Sequence, residues 1–407
     1  MKAAVLSDTH LGDPESGLAY GAENRNYELL RDAIRENTGN GPLDYLILAG
    51  DILDFSIASF EEACDAARPF FLAVQHDKLA NHVVYIPGNH DKHIWDAVEW
   101  EVNVIRRLKK HRNPRSFRRT QPACIDMVDG KFLLPGINED KDTGRWGTLF
   151  LEGLFNGHKE AEIIPIFFAY PNLYIRTLSG NYLVTHGHML ELAWVLLSEM
   201  FSEVKELKDQ QPMSLAHLEE FNVPLTSMIC TGVGQAGELS QVCYKVMQEA
   251  KQAETGKLQE VLDTGIRKLA DVLELNCFGR AALQGCRKFI PGMVERRAAD
   301  TRYNEQFLTK DAVRKRFLRF YTASCAQACS AFTMDPPRKI IFGHTHIAHS
   351  EKDKPFTIDR KERDLSDLPV ESVQLFNSGG WLKNDKKRSP LVFFLDESGT
   401  LTSRSIS

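Results

Sequence analysis

The sequence predicts an α/β fold in which short strands are buried on both faces. Its apolar runs of four to six residues are rich in β-branched and aliphatic side chains and lack the polar alternation of half-exposed strands. Segments between them, such as NRNYELLRDAIREN, carry apolar residues on one face and are typical of helices. Together these patterns favour helices packed on buried sheets.

Five predicted strands end abruptly in small polar clusters. In chain order they are KAAVLSDTH, DYLILAGDILD, HVVYIPGNHD, NYLVTHGH and KIIFGHTH, and VQLFNSGGW and PLVFFLD follow as closing strands. In open α/β sheets, binding sites form beyond the carboxyl ends of the strands. We therefore expect the five clusters to converge on one site.

Two stretches interrupt this recurring pattern of strand and polar cluster, and they define the predicted domains. Residues 92–180 contain a basic run and a turn-rich patch, whereas residues 191–331 interleave charged and apolar residues in a helical pattern. We interpret 191–331 as a helical insertion or lid. Residues 1–190 and 332–407 then form the core.

The composition excludes several classes of protein. With 43% hydrophobic and 26% charged residues and a net charge of −5, the chain resembles an ordinary soluble globular protein and not a nonspecific nucleic-acid binder. Its eight cysteines are scattered without a CxxC pair, as in a reducing compartment. No apolar run approaches the ~20 residues of a membrane span, and the N-terminal segment lacks the apolar stretch of a signal peptide. A cytoplasmic location is expected, and peripheral membrane contact stays open.

The polar clusters contain carboxylate, imidazole and amide donors. Oxygen and nitrogen ligands without thiolates suit Mn, Fe, Zn or Ni, with manganese favoured. Seven candidate ligands are too many for one tetrahedral ion and suit two divalent ions that share a carboxylate. They are Asp8, His10, Asp51, Asn89, His186, His344 and His346.

Charge arithmetic indicates the substrate chemistry of such a site. Two divalent cations and two ligating aspartates leave roughly two positive charges, enough for a phosphate and a hydroxide. Paired cations also activate water and neutralise both the attacking and the leaving oxygen in phosphoryl transfer. A phosphoric ester hydrolase is therefore predicted.

The order of the clusters resembles the calcineurin-like metallophosphoesterase superfamily. The matching blocks are DTH at 8–10, GDILD at 50–54, GNHD at 88–91, HGH at 186–188 and GHTH at 343–346. The resemblance implies a four-layer αββα sandwich with a dinuclear metal site. It assigns Asp8, His10 and His346 to one ion and Asn89, His186 and His344 to the other, with Asp51 bridging.

The resemblance also implies roles around the ligands. A metal-bridging hydroxide would be the nucleophile, and His90 would stabilise the phosphoryl oxygens or protonate the leaving group. Asp91 is the expected partner of the other ring nitrogen of His90, and Asp54 is expected to orient a ligand. His186 and His188 compete for one ligand position, and the family pattern favours His186.

Differences from known branches narrow the substrate class. Protein Ser/Thr phosphatases of the superfamily have arginine where this chain has Phe55, and GNHE where it has GNHD. UDP-diacylglucosamine pyrophosphohydrolases share GDxxD and a helical insertion, but many have arginine in place of His90. Repair nucleases share SDTHLG and GNHD. Phosphodiester or pyrophosphate hydrolysis is the main interpretation, on a nucleotide, small-molecule or lipid-linked substrate. A DNA or RNA nuclease and a catalytically silent scaffold are the alternatives.

The run from Arg106 to Arg119 carries eight Lys or Arg residues and no acidic residue. One interpretation is a solvated helix end and loop. The other is a contact for a polyanion, either nucleic acid, a nucleotide pyrophosphate or an acidic lipid.

Overall fold

In the computed structural model, two mixed β-sheets pack face to face and helices cover their outer sides. The structure describes residues 1–19, 24–135, 163–191, 194–195, 214–230, 311–350, 355–360, 370–383 and 389–406, with the single residues 153, 198 and 362.

The described residues form thirteen strands and six α-helices. The strands are β1 (Lys2–Leu6), β2 (Leu43–Leu48), β3 (Ala80–Tyr85), β4 (Ala123–Asp126), β5 (Lys131–Leu133), β6 (Ile166–Phe168), β7 (Asn172–Thr177), β8 (Gly180–Thr185), β9 (Lys339–Phe342), β10 (Phe356–Thr357), β11 (Ser372–Asn377), β12 (Leu391–Asp396) and β13 (Leu401–Ser405). The helices are α1 (Arg25–Thr38), α2 (Phe60–His76), α3 (Lys92–Trp100), α4 (Arg106–Lys109), α5 (Leu215–Cys230) and α6 (Asp311–Phe332). A π-helical turn (Glu101–Ile105) joins α3 to α4, and a 3₁₀ turn (His188–Leu190) follows β8.

The first sheet has the order β13-β12-β1-β2-β3-β6, and the second has the order β10-β11-β9-β8-β7-β4-β5. In the first sheet, β1, β2, β3 and β6 run parallel. In the second sheet, β8, β9 and β11 run parallel. The strands that precede the five polar clusters thus lie beside one another within each sheet.

Three apolar layers hold this arrangement together. Between the sheets, Val5, Ile47 and Ile125 belong to one buried cluster with Ile175 and Ile341. Helices α1, α2 and α3 pack on the outer face of the first sheet, and α5 and α6 pack on that of the second. The predicted α/β class and the four-layer αββα sandwich are confirmed, as are the five strands that precede the clusters.

Helix α6 forms the last part of the stretch that the sequence assigns to the insertion. Its residues Phe317 and Tyr321 pack with Leu183 and Ile340 of the second sheet. Helical periodicity identifies an apolar face without identifying its partner. The greater part of the predicted insertion, 231–310, lies outside the described residues, so an insertion there stays a prediction.

Among the described residues, no helix is both long enough and apolar enough to cross a bilayer.

The layer between the sheets is expected to dominate stability. Ile47 has no exposed surface there, and Ile47→Ala should lower the free energy of unfolding by about 2–5 kcal/mol because it leaves a cavity. Urea denaturation followed by circular dichroism measures this change. Leu178→Ala is the matched control, since Leu178 is 71% exposed, and it should change stability by less than about 0.5 kcal/mol. Equal effects of the two substitutions would contradict this assignment of the core.

Candidate metal centre

The polar clusters meet where strands of both sheets end. Backbone hydrogen bonds connect the loops within each sheet: the Asp8 N–H donates to Gly50 O at 2.9 Å, and the His10 N–H to Asp51 O at 2.9 Å. In the second sheet, the Gly343 N–H donates to His186 O at 3.0 Å. The loops therefore hold one another in fixed register.

Carboxylates then tie separate clusters together. The His344 N–H, at the end of β9, donates to Asp8 Oδ1 at 2.9 Å, which links the second sheet to the first. The His90 N–H donates to Asp51 Oδ1 at 2.8 Å. Asp51 thus keeps Oδ2 for the centre of the site, whereas both oxygens of Asp8 accept the His344 N–H and its Oδ1 also faces His346.

Three predicted ligands form a first group, Asp8, His10 and His346. The Nε2 atoms of His10 and His346 are 3.0 Å apart, and Nε2 of His346 lies 3.5 Å from Asp8 Oδ1. One donor atom from each residue lies within 4.8 Å of the others.

A second group contains Asp51, His186 and His344. Nε2 of His186 lies 3.2 Å from Asp51 Oδ2, 3.2 Å from His344 Nδ1 and 3.0 Å from Asn89 Oδ1. Asn89 thus adjoins this group, and the four residues follow four different strands, as the sequence predicted.

The two groups adjoin at Asp51, which forms a third group of candidate ligands with His10 and His90. Its Oδ2 lies 4.0 Å from Nε2 of His10 in the first group and 3.9 Å from Nε2 of His90. The structure thus brings together all seven predicted ligands and His90.

Five of the seven predicted ligands have left-handed backbone conformations. Their φ angles are 55° at Asp8, 48° at His10, 52° at Asp51, 66° at His344 and 56° at His346. This conformation costs an L-residue roughly 1–2 kcal/mol, although Asp, Asn and His adopt it more readily than most. Such strain is concentrated at functional sites, where the surrounding structure enforces it.

Two glycines allow the ligands to approach the backbone. A Cβ atom on Gly343 would overlap the carboxylate of Asp8 and the hydroxyl of Ser7. A Cβ atom on Gly50 would lie 2.5 Å from the ring of His186, and Gly50 itself has a φ of +89°. Any side chain at these positions would displace a ligand.

The aspartates give the site a strongly negative potential. Burial opposes a charge on His10 and His186. The hydrogen bond between His10 and Asp54 outweighs this effect of burial at His10, and the charge of Asp51 outweighs it at His186. The pKa of each histidine is therefore raised to about 9. Burial would also raise the pKa of Asp51, but His186 and His90 hold it well below its ordinary value. The site thus stabilises positive charge.

The donor atoms fit divalent cations. Nε2 of His186 faces three electron-rich atoms at 3.0–3.2 Å, and one ring nitrogen can supply at most one proton to them. The facing Nε2 atoms of His10 and His346, 3.0 Å apart, are two further nitrogen donors within reach of one cation. A cation bound by nitrogen and oxygen lone pairs satisfies all of these atoms together.

His90 is supported by Asp54 and Ser56. Its Nδ1 lies 2.9 Å from Asp54 Oδ1 and 2.7 Å from Ser56 Oγ. The other oxygen of Asp54 lies 2.9 Å from Nδ1 of His10, so one carboxylate orients a ligand and His90. From the sequence, Asp91 was expected beside His90 and Ser56 was not identified, although the spacing in Asp-x-Ser is typical of an Asx turn.

The carboxylate of Asp91 serves a different purpose. Its Oδ1 accepts the Gly88 N–H at 2.6 Å, and its Oδ2 accepts the Ile52 N–H at 2.8 Å and the Tyr85 hydroxyl. Burial and the charge of Asp51 raise the pKa of Asp91 to about 6. Asp91 therefore fixes the loops after β2 and β3, and the expectation that it partners His90 is corrected.

The two histidines of the fourth cluster differ in environment. Among the described residues, the three-ligand groups include His186 but not His188. The ring of His188 packs beside Tyr170 and Trp194. Burial and the charges of His186 and His344 hold the pKa of His188 well below its ordinary value. The geometry favours His186 for the predicted ligand position.

Sequence reasoning missed two more neighbours of the ligands. Glu191 Oε2 lies 3.4 Å from Nε2 of His344, on the side away from His186. Ser7 hydrogen-bonds to the carboxylate of Asp8 and to Ser378. Ser7 adjoins a motif residue and was detectable, whereas nothing in the sequence marks Glu191.

One protein-family model matches a large part of the chain. The model for calcineurin-like phosphoesterases matches residues 1–223, more than half of the sequence. The chain belongs to the calcineurin-like phosphoesterase family. It is therefore a phosphoric ester hydrolase, and its histidine and aspartate cluster fits the divalent metal ions on which such enzymes depend. The GHTH block lies beyond the matched segment, and the fold brings it to the other four. Comparison with curated proteins finds no match.

The contact between Gly343 and Asp8 gives a direct test of the site. Gly343→Ala should weaken Mn²⁺ binding by about 10–100-fold, because the new methyl group displaces a ligand carboxylate. Titration calorimetry measures this change. Gly41→Ala is the control, since its nearest neighbour would be 3.8 Å away. Unchanged Mn²⁺ affinity in a folded Gly343→Ala protein would contradict the placement of Asp8.

Proposed function

We propose that this phosphoesterase uses two divalent cations to hydrolyse phosphodiester or pyrophosphate bonds. The observation that supports the proposal most is that two candidate groups with no residue in common, Asp8-His10-His346 and Asp51-His186-His344, adjoin at Asp51, and a third group of His10, Asp51 and His90 overlaps both. A single-ion site would not need a second complete set of donors beside the first.

The proposed ligand sets follow the two groups. Asp8, His10 and His346 hold one cation, and His186 and His344 hold the other together with Asn89 and Asp51. Asp51 is placed to serve both cations, since its Oδ2 lies 3.2 Å from His186 and 4.0 Å from His10. The imidazole, amide and carboxylate donors suit Mn²⁺, Fe²⁺ or Zn²⁺, and Mn²⁺ is the first choice for assay.

When bound, the cations neutralise the phosphoryl oxygens and lower the pKa of a water molecule that attacks phosphorus. His90 supplies the proton for the leaving oxygen. Asp54 and Ser56 hold its Nδ1, which leaves Nε2 on the side of Asp51 and the cation ligands. An acid fixed in this way contributes typically 10²–10⁴-fold to rate.

The surroundings of Phe55 support a diester or pyrophosphate and not a phosphoprotein substrate. The protein phosphatases of this family have arginine at this position, and a guanidinium can pair with the doubly charged oxygens of a phosphomonoester. Here Phe55 is fully buried, and its ring packs edge-on against Phe60 at 4.8 Å. The proposed substrates are phosphorylated small molecules, nucleotides or lipid-linked pyrophosphates.

The first test compares a diester with a monoester. With Mn²⁺ present, bis-p-nitrophenyl phosphate should be hydrolysed faster than p-nitrophenyl phosphate, and chelation of the metal should abolish both activities. Asp51→Ala should remove activity by disrupting both cation sites, and titration calorimetry should show loss of high-affinity Mn²⁺ binding. Full activity of Asp51→Ala would refute the dinuclear assignment, and turnover of the monoester alone would refute the diesterase preference.

The second test isolates the proton donor. His90→Ala should lower kcat by about 10²–10⁴-fold for a diester with an alkyl leaving group. It should lower kcat much less for p-nitrophenolate, which leaves without a proton. Mn²⁺ affinity should be nearly unchanged. His76→Ala is the control, since the His76 side chain is 88% exposed. An equal loss for both leaving groups would count against an acid role for His90.

A further inference from the structure

The end of the helix that follows GNHD presents an unusual apolar surface. In the described part of the chain, five large hydrophobic side chains are exposed, and three of them lie within nine residues. Trp100 is 54% exposed, Ile105 46% and Leu108 54%. Exposed apolar groups that cluster in this way mark interaction sites more often than isolated ones do.

The π-helical turn brings these side chains to one side. The Arg106 N–H donates to Glu101 O, five residues back, in the wide turn between α3 and α4. In an α-helix, residues five apart point about 140° away from each other. A π-turn closes every four to five residues, so Trp100 and Ile105 lie on nearly the same face. Leu108 follows Ile105 by three residues on α4 and extends that face.

A basic loop is fixed against the same helix. Arg107 Nε donates to Asn113 O at 2.6 Å, and the Arg115 N–H donates to Asn103 O at 2.9 Å. The Phe117 ring packs edge-on against Trp100 at 5.5 Å. Residues 100–119 thus form a built surface, which we name the Trp100–Arg119 surface.

The charge of this surface is opposite to that of the chain. Residues 106–119 hold eight Lys or Arg residues and no acid, whereas the whole chain has a net charge of −5. Two acids of the described residues are engaged here: Glu101 pairs with Arg106, and the buried Glu99 accepts the Arg118 N–H at 2.7 Å. Basic residues therefore adjoin the three apolar side chains in the chain.

The combination distinguishes a lipid surface from nucleic acid. The phosphates of a nucleic acid would pair with the basic side chains, but Ile105 and Leu108 would stay exposed to water. An anionic bilayer offers phosphate groups for Lys and Arg and an acyl boundary for Trp, Ile and Leu. We propose that the Trp100–Arg119 surface docks this phosphoesterase on anionic membrane surfaces. Because α3 begins at Lys92, directly after GNHD, docking also fixes the orientation of the metal centre relative to the bilayer.

Vesicle flotation tests the proposal with the full-length chain. Phosphatidylcholine vesicles that contain phosphatidylglycerol should bind the protein, and pure phosphatidylcholine vesicles should not. Lys109→Glu/Arg115→Glu should weaken binding at least about 25-fold, at about fivefold for each basic side chain that is lost. Ile105→Gln/Leu108→Gln should weaken it at least about tenfold with no change in charge.

Matched controls lie elsewhere on the protein. Lys78→Glu/Lys131→Glu changes the same charge at other exposed positions, and Val128→Gln/Leu178→Gln removes the other two exposed hydrophobic side chains. Both controls should bind vesicles like the unmodified protein, and all variants should retain hydrolysis of bis-p-nitrophenyl phosphate. That activity separates a failure of docking from a failure of the proposed function.

Three results would overturn the proposal. One is the absence of binding to anionic vesicles at moderate salt, and another is binding that Ile105→Gln/Leu108→Gln does not change. The third is tighter binding to 20-nucleotide DNA or RNA than to vesicles, measured by fluorescence anisotropy, which would identify a nucleic-acid surface.

Discussion

The burial of four aspartates at one edge of two sheets is the constraint on which this molecule depends. Each side chain has at most 2% of its surface exposed, and they are Asp8, Asp51, Asp54 and Asp91. A buried carboxylate costs several kcal/mol unless hydrogen bonds and opposite charges compensate it. Backbone N–H groups, the Tyr85 hydroxyl and histidine rings provide that compensation. The hydrogen bonds that the buried carboxylates require therefore fix the loops. The same carboxylates create the negative potential that attracts cations.

Much of this could be predicted from the sequence because strand ends and ligand types coincide. The strands before Asp8, Asp51, Asn89, His186 and His344 were identifiable from uninterrupted apolar runs, and parallel pairing then brings their ends together. The partner of His90 was not identifiable in this way. Asp91 is adjacent in the chain, but backbone N–H groups occupy its oxygens, and the partner comes from the previous loop. Proximity in sequence does not decide which of two buried carboxylates a ring nitrogen reaches.

Packing partners explain the other differences. The apolar face of α6 has the same helical period whether it covers an insertion or a sheet, and only the fold shows that it covers the second sheet. The π-turn between α3 and α4 has no sequence signature, since it differs from an α-helix only in hydrogen bonds that span five residues instead of four. The basic run was visible from composition, but its apolar half becomes evident only when that turn aligns Trp100 with Ile105.

The left-handed backbone at five of the predicted ligands has an evolutionary consequence. Asp, Asn and His adopt positive φ more readily than other side chains, and Gly adopts it at no steric cost. The residues that this backbone tolerates are therefore almost the same as those that bind metal. A descendant that lost its cations would drift toward Asn or Gly at these positions and would keep the fold. Within such a fold, a few substitutions separate catalytic members from inactive ones. The loops of an inactive descendant would keep the backbone conformation of the ancestral metal site.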